Sequence, residues 1–327
     1  MRILVTGGAG YIGSHAVRLF REEGHSVLVF DNLSMGHVPS IGDTPLIIGD
    51  LGSPEDLNRL FGSMKIDAVV HFAGVASIAE SIAQPLRYYQ QNVTNTLHLL
   101  EAMVRHDVRR LVVSSSCTVY GNATSVPIDE DAIPRPVNPY GRSKLSLEWA
   151  IADCAASSGL GYAALRYFNA AGAHPSGDLG EDHDPETHLI PLALRVAQGR
   201  RSHLDILGTD YPTPDGSCIR DYIHVVDLAR AHLAALEYIQ PGRSVCCNLG
   251  TGRGWSVREV IRICQQVTGR SIPVRESARR PGDPPELVAR VSRAGSLLGW
   301  KPQYLELPEI VATAWNWHQR HPDGYRP

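Results

Sequence analysis

The sequence predicts an α/β protein, a doubly wound parallel sheet with a smaller α/β domain attached. Three observations carry this. Short apolar runs alternate with amphipathic stretches through the first half of the chain. A glycine-rich turn stands between the first run and the first amphipathic stretch. An aspartate, Asp31, closes the second run.

The apolar runs are RILVTG, SVLVFD, PLIIGD, DAVVHFAG and RRLVVSSS. They are rich in Val, Ile and Leu and lack a period of two, as parallel strands covered on both faces should. Between them, YIGSHAVRLFREEG, SPEDLNRLFG and PLRYYQQNVTNTLHLLEAMVRHD carry helical spacing. Ser53 followed by Pro54 marks one helix start. After Tyr167 the texture changes. NAAGAHPSGDLGEDHDPETH is polar and reads as a long loop facing a ligand. DYIHVVDLARAHLAALEYI reads as a helix and SVCCNLG as a strand. The tail holds helical SVREVIRICQQVTG, then RRPGDPPELVA, then a last helix near LPEIVATAWNWHQRH. The expected division is a first domain of residues 1–168 rejoined by about 221–250, and a second of about 169–220 plus 251–327.

Bulk properties narrow the partners. Apolar residues make up 43% and charged residues 20% of the 327, and the net charge is −3. No strong field draws the chain to nucleic acid or an anionic membrane, and no run of about 18 apolar residues suggests a span. MRILVTGG lacks the features of a signal peptide. Cys117, Cys154, Cys218, Cys246, Cys247 and Cys264 form no C-x-x-C pair, and they read as reduced thiols of a cytoplasmic protein.

In TGGAGYIGSH, Gly8, Gly10 and Gly13 fit G-x-G-x-x-G, and Gly7, Gly10 and Gly13 fit G-x-x-G-x-x-G. Such a turn lets backbone approach a pyrophosphate at a helix N-terminus, the signature of a Rossmann dinucleotide site. Asp31 suits the two hydroxyls of an adenine ribose and repels a 2′-phosphate, so NAD is expected rather than NADP. Asp50 has two readings, a bond to the adenine amino group or a turn-forming role.

NPYGRSK places Tyr140 and Lys144 one helical turn apart. A phenol has a pKa of about 10, and bringing it near neutrality needs roughly 4 kcal/mol of favourable interaction. Lys144 and an oxidised nicotinamide would both favour the phenolate. Tyr140 can then act as a base on a substrate hydroxyl. Ser116 in SSSCTVYG, at the end of a strand, is the candidate for orienting that hydroxyl.

Together with ESIAQPLRYY, LRYFNAAGAHP, HLIPLAL, DYPTPDGSCIRDYIHVVDLA, NLGTG and RRPGDPP, these motifs resemble the extended short-chain dehydrogenases/reductases nearly end to end, and within them the enzymes that invert C4 of UDP-hexoses. The resemblance implies tightly held NAD, a transient 4-keto sugar and a homodimer built on the helix near 85–105 and the helix beginning at Tyr140. It implies cofactor contacts from Tyr11, Ile12, Asn32, Leu51, Phe72, Ala73, Gly74, Gln91, Ser114, Tyr167 and Phe168. It implies UDP-sugar contacts from Asn169, His188, Leu189, Leu207, Arg220, Arg280 and Asp283, with Leu287 against the sugar near C2. Asp221 is an alternative partner for Arg220.

Three positions depart from the family pattern: Ala76 where lysine is frequent, Gln91 for an asparagine, and Leu207 for an aromatic residue. They bear on affinity rather than reaction type. Leu287, smaller than tyrosine, implies slower use of UDP-N-acetylglucosamine beside the UDP-glucose/UDP-galactose pair; UDP-pentoses, lacking C6, also fit, and UDP-N-acetylglucosamine or a UDP-pentose as main substrate is the alternative. A 4,6-dehydratase would need an Asp-Glu pair where Cys117 and Thr118 stand, and a non-catalytic NAD-binding protein would typically have lost Tyr140 or Lys144. His174, His183 and His188 with Asp182 and Asp184 fit no zinc template. No metal is expected, and that segment is read as a solvated, partly substrate-facing loop.

Overall fold

The apolar runs pair with one another. In the computed structural model, which describes residues 1–326, β1 (Arg2–Thr6), β2 (Ser26–Asp31), β3 (Leu46–Ile48), β4 (Ala68–His71), β5 (Arg110–Ser116) and β6 (Gly161–Tyr167) form one sheet with the strand Val245–Leu249. All pairings are parallel, and the order runs from Val245–Leu249 through β6, β5, β4, β1 and β2 to β3. The order reverses between β1 and β4, which opens a crevice at the carboxyl ends of the strands.

Both faces are covered, as the unbroken apolar runs require. On one face, α1 (Tyr11–Glu22) and the helix Val225–Tyr238 pack Ala16, Val17, Phe20, Leu228 and Leu236 against Ile3, Val5 and Val29. On the other, α2 (Pro54–Ser63) and the helices Asn95–Arg105 and Pro139–Ser158 pack Leu57, Leu60, Met103, Leu147 and Ile151 against Leu4, Val69 and Leu111. Truncating a fully buried side chain such as Phe20 would cost about 3–5 kcal/mol. Ser53 caps α2 by accepting the Asp56 N–H at 3.2 Å, and Pro54 occupies its first turn.

A second, smaller sheet joins Asn169–Ala171, Ile219–His224, Gly254–Ser256 and Glu286–Leu287. Around it, helices Leu189–Ala197, Val257–Thr268 and Leu307–Arg320 bury a separate core that includes Leu194, Val260, Cys264, Val311 and Trp315.

Several readings need correction. Asp221–His224 belong to a strand, and the helix starts only at Val225, capped by the His224 side chain accepting the Val226 N–H. A short apolar run joined directly to a helix hides the change of period. The segment 85–107 is not one regular helix: Pro85–Tyr89 and Asn95–Arg105 are joined by a π-helical turn, Gln90–Thr94. β6 and the short strands of the second lobe were not distinguished by pattern.

Candidate active site

Apart from Gly8, which packs on Val5 and Val29, the residues singled out above for cofactor, substrate or catalysis line a single cavity of about 630 Å³ between the carboxyl ends of the main sheet and the second lobe. That size and placement suit a ligand site in an α/β protein.

The floor is the glycine loop. Gly7 has φ +70°, and a Cβ there would lie 2.5 Å from the Ala73 nitrogen. A Cβ on Gly13 would lie 2.2 Å from the Gly7 carbonyl oxygen, so this glycine lets α1 close onto β1. A Cβ on Gly10 would meet only the Gly7 oxygen, at 3.4 Å. Its space is open toward the cavity, where a ligand could approach backbone. Asp31, buried at the end of β2, accepts the N–H groups of Ala9 at 2.9 Å and Leu33 at 2.8 Å. Its carboxylate is thereby fixed over the loop with lone pairs remaining for hydroxyl donors. Asp50 accepts Gly52 N–H at 2.6 Å and Asn32 Nδ2 at 2.9 Å, which is the turn-forming reading, although it also lines the cavity.

The reactive end is built by β5 and the helix Pro139–Ser158. Asn138 caps that helix by accepting Gly141 N–H at 2.8 Å, and Tyr140, Lys144 and Glu148 follow on one buried face. Lys144 Nζ donates to the Ser114 carbonyl at 2.9 Å. Burial lowers its pKa to about 8 against the attraction of Glu148. Glu148 in turn accepts from Ser115 and from Arg166 through both carboxylate oxygens, with Nε at 2.9 Å and Nη2 at 2.6 Å. Ser116 accepts from Thr118 Oγ1 at 2.9 Å. Burial, and then neighbouring Tyr167, push the Tyr140 phenol well above its ordinary pKa, while the Ser116 hydrogen bond pulls it down. The depression expected from Lys144 together with an oxidised nicotinamide concerns the loaded site; in the protein alone burial dominates. The Lys144 ammonium is turned to the Ser114 carbonyl.

At the other end, Arg280 pairs with Asp283 through Nε at 2.9 Å and Nη2 at 3.0 Å. Arg220 Nη2 lies 3.9 Å from the same carboxylate. Asp221 is not Arg220's partner: it accepts from the N–H groups of Thr251, Gly252 and Ala289 and from the Thr251 hydroxyl. Leu287 is buried beside Cys117, Leu145 and Phe168. Leu207 is exposed at the cavity rim.

Two groups were missed by sequence reasoning. Asn92, in the π-turn, accepts Val75 N–H at 2.9 Å and donates to the Val75 carbonyl at 3.1 Å and to Ser143 at 3.0 Å. It clamps the loop after β4 to the Tyr140 helix. Tyr88 packs edge-on to the Tyr140 ring at 6.2 Å and accepts Ser77 N–H at 2.8 Å. Polar side chains on the inward face of the segment were the only available signal. The loop read as solvated and partly substrate-facing brings His183 and His188 to the cavity wall, and it is less solvated than its polarity suggests, with Glu181 and Glu186 buried. With His183 and His188 they bring one ligand atom each to within 4.8 Å of one another, a donor set able to hold a divalent cation.

Residues 3–250 match the family described as "NAD dependent epimerase/dehydratase family". The UDP-glucose 4-epimerase of Halalkalibacterium halodurans is 50% identical over 99% of this chain and 98% of its own length. Among solved structures, the UDP-glucose 4-epimerase of Brucella ovis in complex with NAD is 46% identical with a TM-score of 0.92, covering 96% of this chain and 97% of its own. That of Bifidobacterium longum in complex with NAD+ and UDP is 38% identical with a TM-score of 0.96, covering 99% and 100%.

Proposed function

Because the chain belongs to the NAD-dependent epimerase/dehydratase family, we propose that Tyr140 is the proton carrier, with Ser116 and Lys144, in its inversion of C4 of a UDP-hexose. The reaction is NAD-dependent epimerisation and the enzyme is an isomerase. The observation that carries the allotment of residues is the shared cavity. It joins the glycine loop, the Tyr140–Ser116 end and the Arg220–Arg280 end.

The residues fit the cofactor. Gly10 leaves open space beside backbone, Asp31 keeps lone pairs for the ribose, and the Ser114 hydroxyl is buried without a partner at the cavity wall. Gly7, Gly10, Tyr11, Ile12 and Gly13 would hold the pyrophosphate, Asp31 and Asn32 the adenine ribose, and Phe72, Ser114, Lys144 and Phe168 the nicotinamide half. Bound there, NAD supplies a reversible acceptor for the hydrogen on C4 and a positive charge beside the phenol. Ser116 orients O4, and Tyr140 as phenolate takes its proton. The proton stays on Tyr140 while the 4-keto sugar turns about its bond to the diphosphate. Tyr140 then returns the proton to O4 of the epimer. Arg220 and Arg280 hold the diphosphate meanwhile, as guanidinium forks suit its oxygens. Burial pushes the Cys117 thiol up to about 12, which supports epimerisation over a dehydration needing a base at that position.

Leu287 supports UDP-glucose and UDP-galactose as the main pair with slower use of UDP-N-acetylglucosamine. Leu86, Tyr89, Leu97, Val104 and Trp149 are exposed on the helices Pro85–Tyr89, Asn95–Arg105 and Pro139–Ser158, which supports a homodimer through this face. No helix among the described residues is long and apolar enough to cross a membrane. Free thiols at all six cysteines support a reducing compartment, the cytoplasm. The deciding assay incubates purified protein with UDP-glucose and no added NAD. UDP-galactose is the expected product, and its absence would overturn the reading.

A further inference from the structure

Glu181, His183, Glu186 and His188 follow one another as E-x-H-x-x-E-x-H just before the helix Leu189–Ala197. Each brings one ligand atom to within 4.8 Å of the other three. Nδ1 of His183 lies 3.1 Å from Glu181 Oε1, and Nδ1 of His188 meets the same oxygen. The two rings stand edge to face, 5.4 Å apart. Asp182 and Asp184, which lie between these residues in sequence, turn elsewhere. Asp182 accepts the Tyr325 N–H at 3.0 Å, and Asp184 pairs with Arg326 at 2.8 Å. The sequence reading joined the histidines to those aspartates and so found no zinc template.

Hydrogen bonding does not exhaust the cluster. Glu186 Oε1 accepts the backbone N–H groups of Thr187 at 2.7 Å and His188 at 2.8 Å, which fixes the carboxylate. Its Oε2 is buried without a partner, on a residue only 8% exposed. An unpaired carboxylate oxygen in the interior is costly. No lysine or arginine among the described residues pairs with either glutamate. Arg195 bonds the His183 carbonyl at 3.3 Å, and Arg280 is held by Asp283. From α1, Tyr11 gives its hydroxyl to the Gly172 carbonyl.

We propose that Glu181, His183, Glu186 and His188 form a structural zinc site. The ion takes one lone pair from Nδ1 of each imidazole and one from an oxygen of each carboxylate. The Nδ1 protons leave to solvent as it binds, and its two positive charges match the two carboxylates. Tetrahedral bonds of about 2.0–2.2 Å place ligand atoms roughly 3.3–3.6 Å apart. The 3.1 Å between His183 and Glu181 is near that spacing. Two imidazoles favour zinc over magnesium or calcium, and four protein donors make the closed geometry of a structural site. Outer partners already hold the ligands in place. Trp317 Nε1 donates to the Glu181 carbonyl at 3.2 Å, Arg195 to that of His183, and two N–H groups grip Glu186. The ion would pin the segment that delivers Thr187, His188 and Leu189 to the cavity wall. It would also fasten that segment to α1, where the Tyr11 ring meets His183 edge-on at 6.2 Å.

This inference does not depend on the nucleotide-sugar reading of the cavity. Tag-free protein purified without added metal is dialysed, and its metal is counted by mass spectrometry. About one zinc per chain is expected. His183→Ala and Glu186→Gln should each hold zinc more than about 100-fold more weakly, since even the outer partners of a ligand are worth about 10–100-fold. Cobalt-substituted wild type should show the intense visible absorption of tetrahedral Co(II), and weak octahedral bands would overturn the four-donor set. If the variants do not fold, wild type stripped with a chelator decides. Its Tm should rise with added ZnCl2 in a concentration-dependent way and not with MgCl2. A wild type that neither carries zinc nor gains Tm from it overturns the inference. Full zinc retention by both variants places the metal elsewhere and overturns it too. Failure of wild type to turn over UDP-glucose, measured alongside, bears on the epimerase reading alone.

Discussion

Lys144 Nζ is hydrogen-bonded to the carbonyl oxygen of Ser114, 2.9 Å away, and not to the Tyr140 phenol one turn earlier on its own helix. The ammonium is thus tied to the end of β5 and acts on the phenol through space. Burial holds Tyr140 protonated in the protein alone. Its ionisation depends on the second positive charge that a bound oxidised nicotinamide brings, so the base is armed only when the cofactor site is filled.

Replacing Tyr140 with Phe removes the proton carrier and keeps the ring that packs on Tyr88. Turnover of UDP-glucose should fall by about 10²–10⁴, while NAD released on denaturation should match wild type. Near-wild-type turnover would remove Tyr140 from the mechanism.

Glu148→Gln tests the support behind the site. Arg166 and Glu148 are both buried and bidentately paired, and Arg166 also bonds Tyr120 at 2.9 Å. Removing one charge leaves the other uncompensated, so stability should drop by about 3–5 kcal/mol. The denaturant midpoint reads this directly, and a loss under 1 kcal/mol would mean that the guanidinium finds another partner.

Leu287→Tyr tests the substrate pocket. Leu287 is buried against Cys117 and Phe168 at the cavity wall. Wild type should use UDP-N-acetylglucosamine measurably but more slowly than UDP-glucose, and the tyrosine variant should lose about one to two decades of rate on the N-acetyl sugar alone. Equal use of that sugar by both proteins contradicts a steric gate at this position.

Light scattering at micromolar concentration should report twice the chain mass of 35.7 kDa. Glu substituted for both Leu86 and Trp149, which are 81% and 62% exposed, should yield a monomer. A wild-type monomer would mean that this face serves another purpose.

What the sequence revealed was what short range encodes. The glycine loop, the strand runs around it and the Tyr140–Lys144 spacing are local patterns, and each occupies the expected place. Asp221 shows the opposite case. Its partners come from Thr251, Gly252 and Ala289, the last 68 residues away, and nothing beside it in sequence marks them. Glu181 and Glu186 sit in a stretch whose polarity signals solvent, yet ion pairing with two histidines lets them be buried. In the protein alone burial sets the Tyr140 phenol pKa, and nothing beside Lys144 in sequence marks that its hydrogen bond goes to the Ser114 carbonyl.

The π-turn at Gln90–Thr94 makes this region sensitive to length as well as to residue identity. A π-turn is an α-helix carrying one surplus residue. Deleting a single position between 90 and 94 would close this wide turn to a regular one and move Asn92 out of the place that the surplus residue gives it. Asn92 would then lose Val75 and Ser143 together, although no side chain at the site had been exchanged for another. Homologous chains and engineered variants should accordingly tolerate substitutions at exposed positions of this turn far better than insertions or deletions.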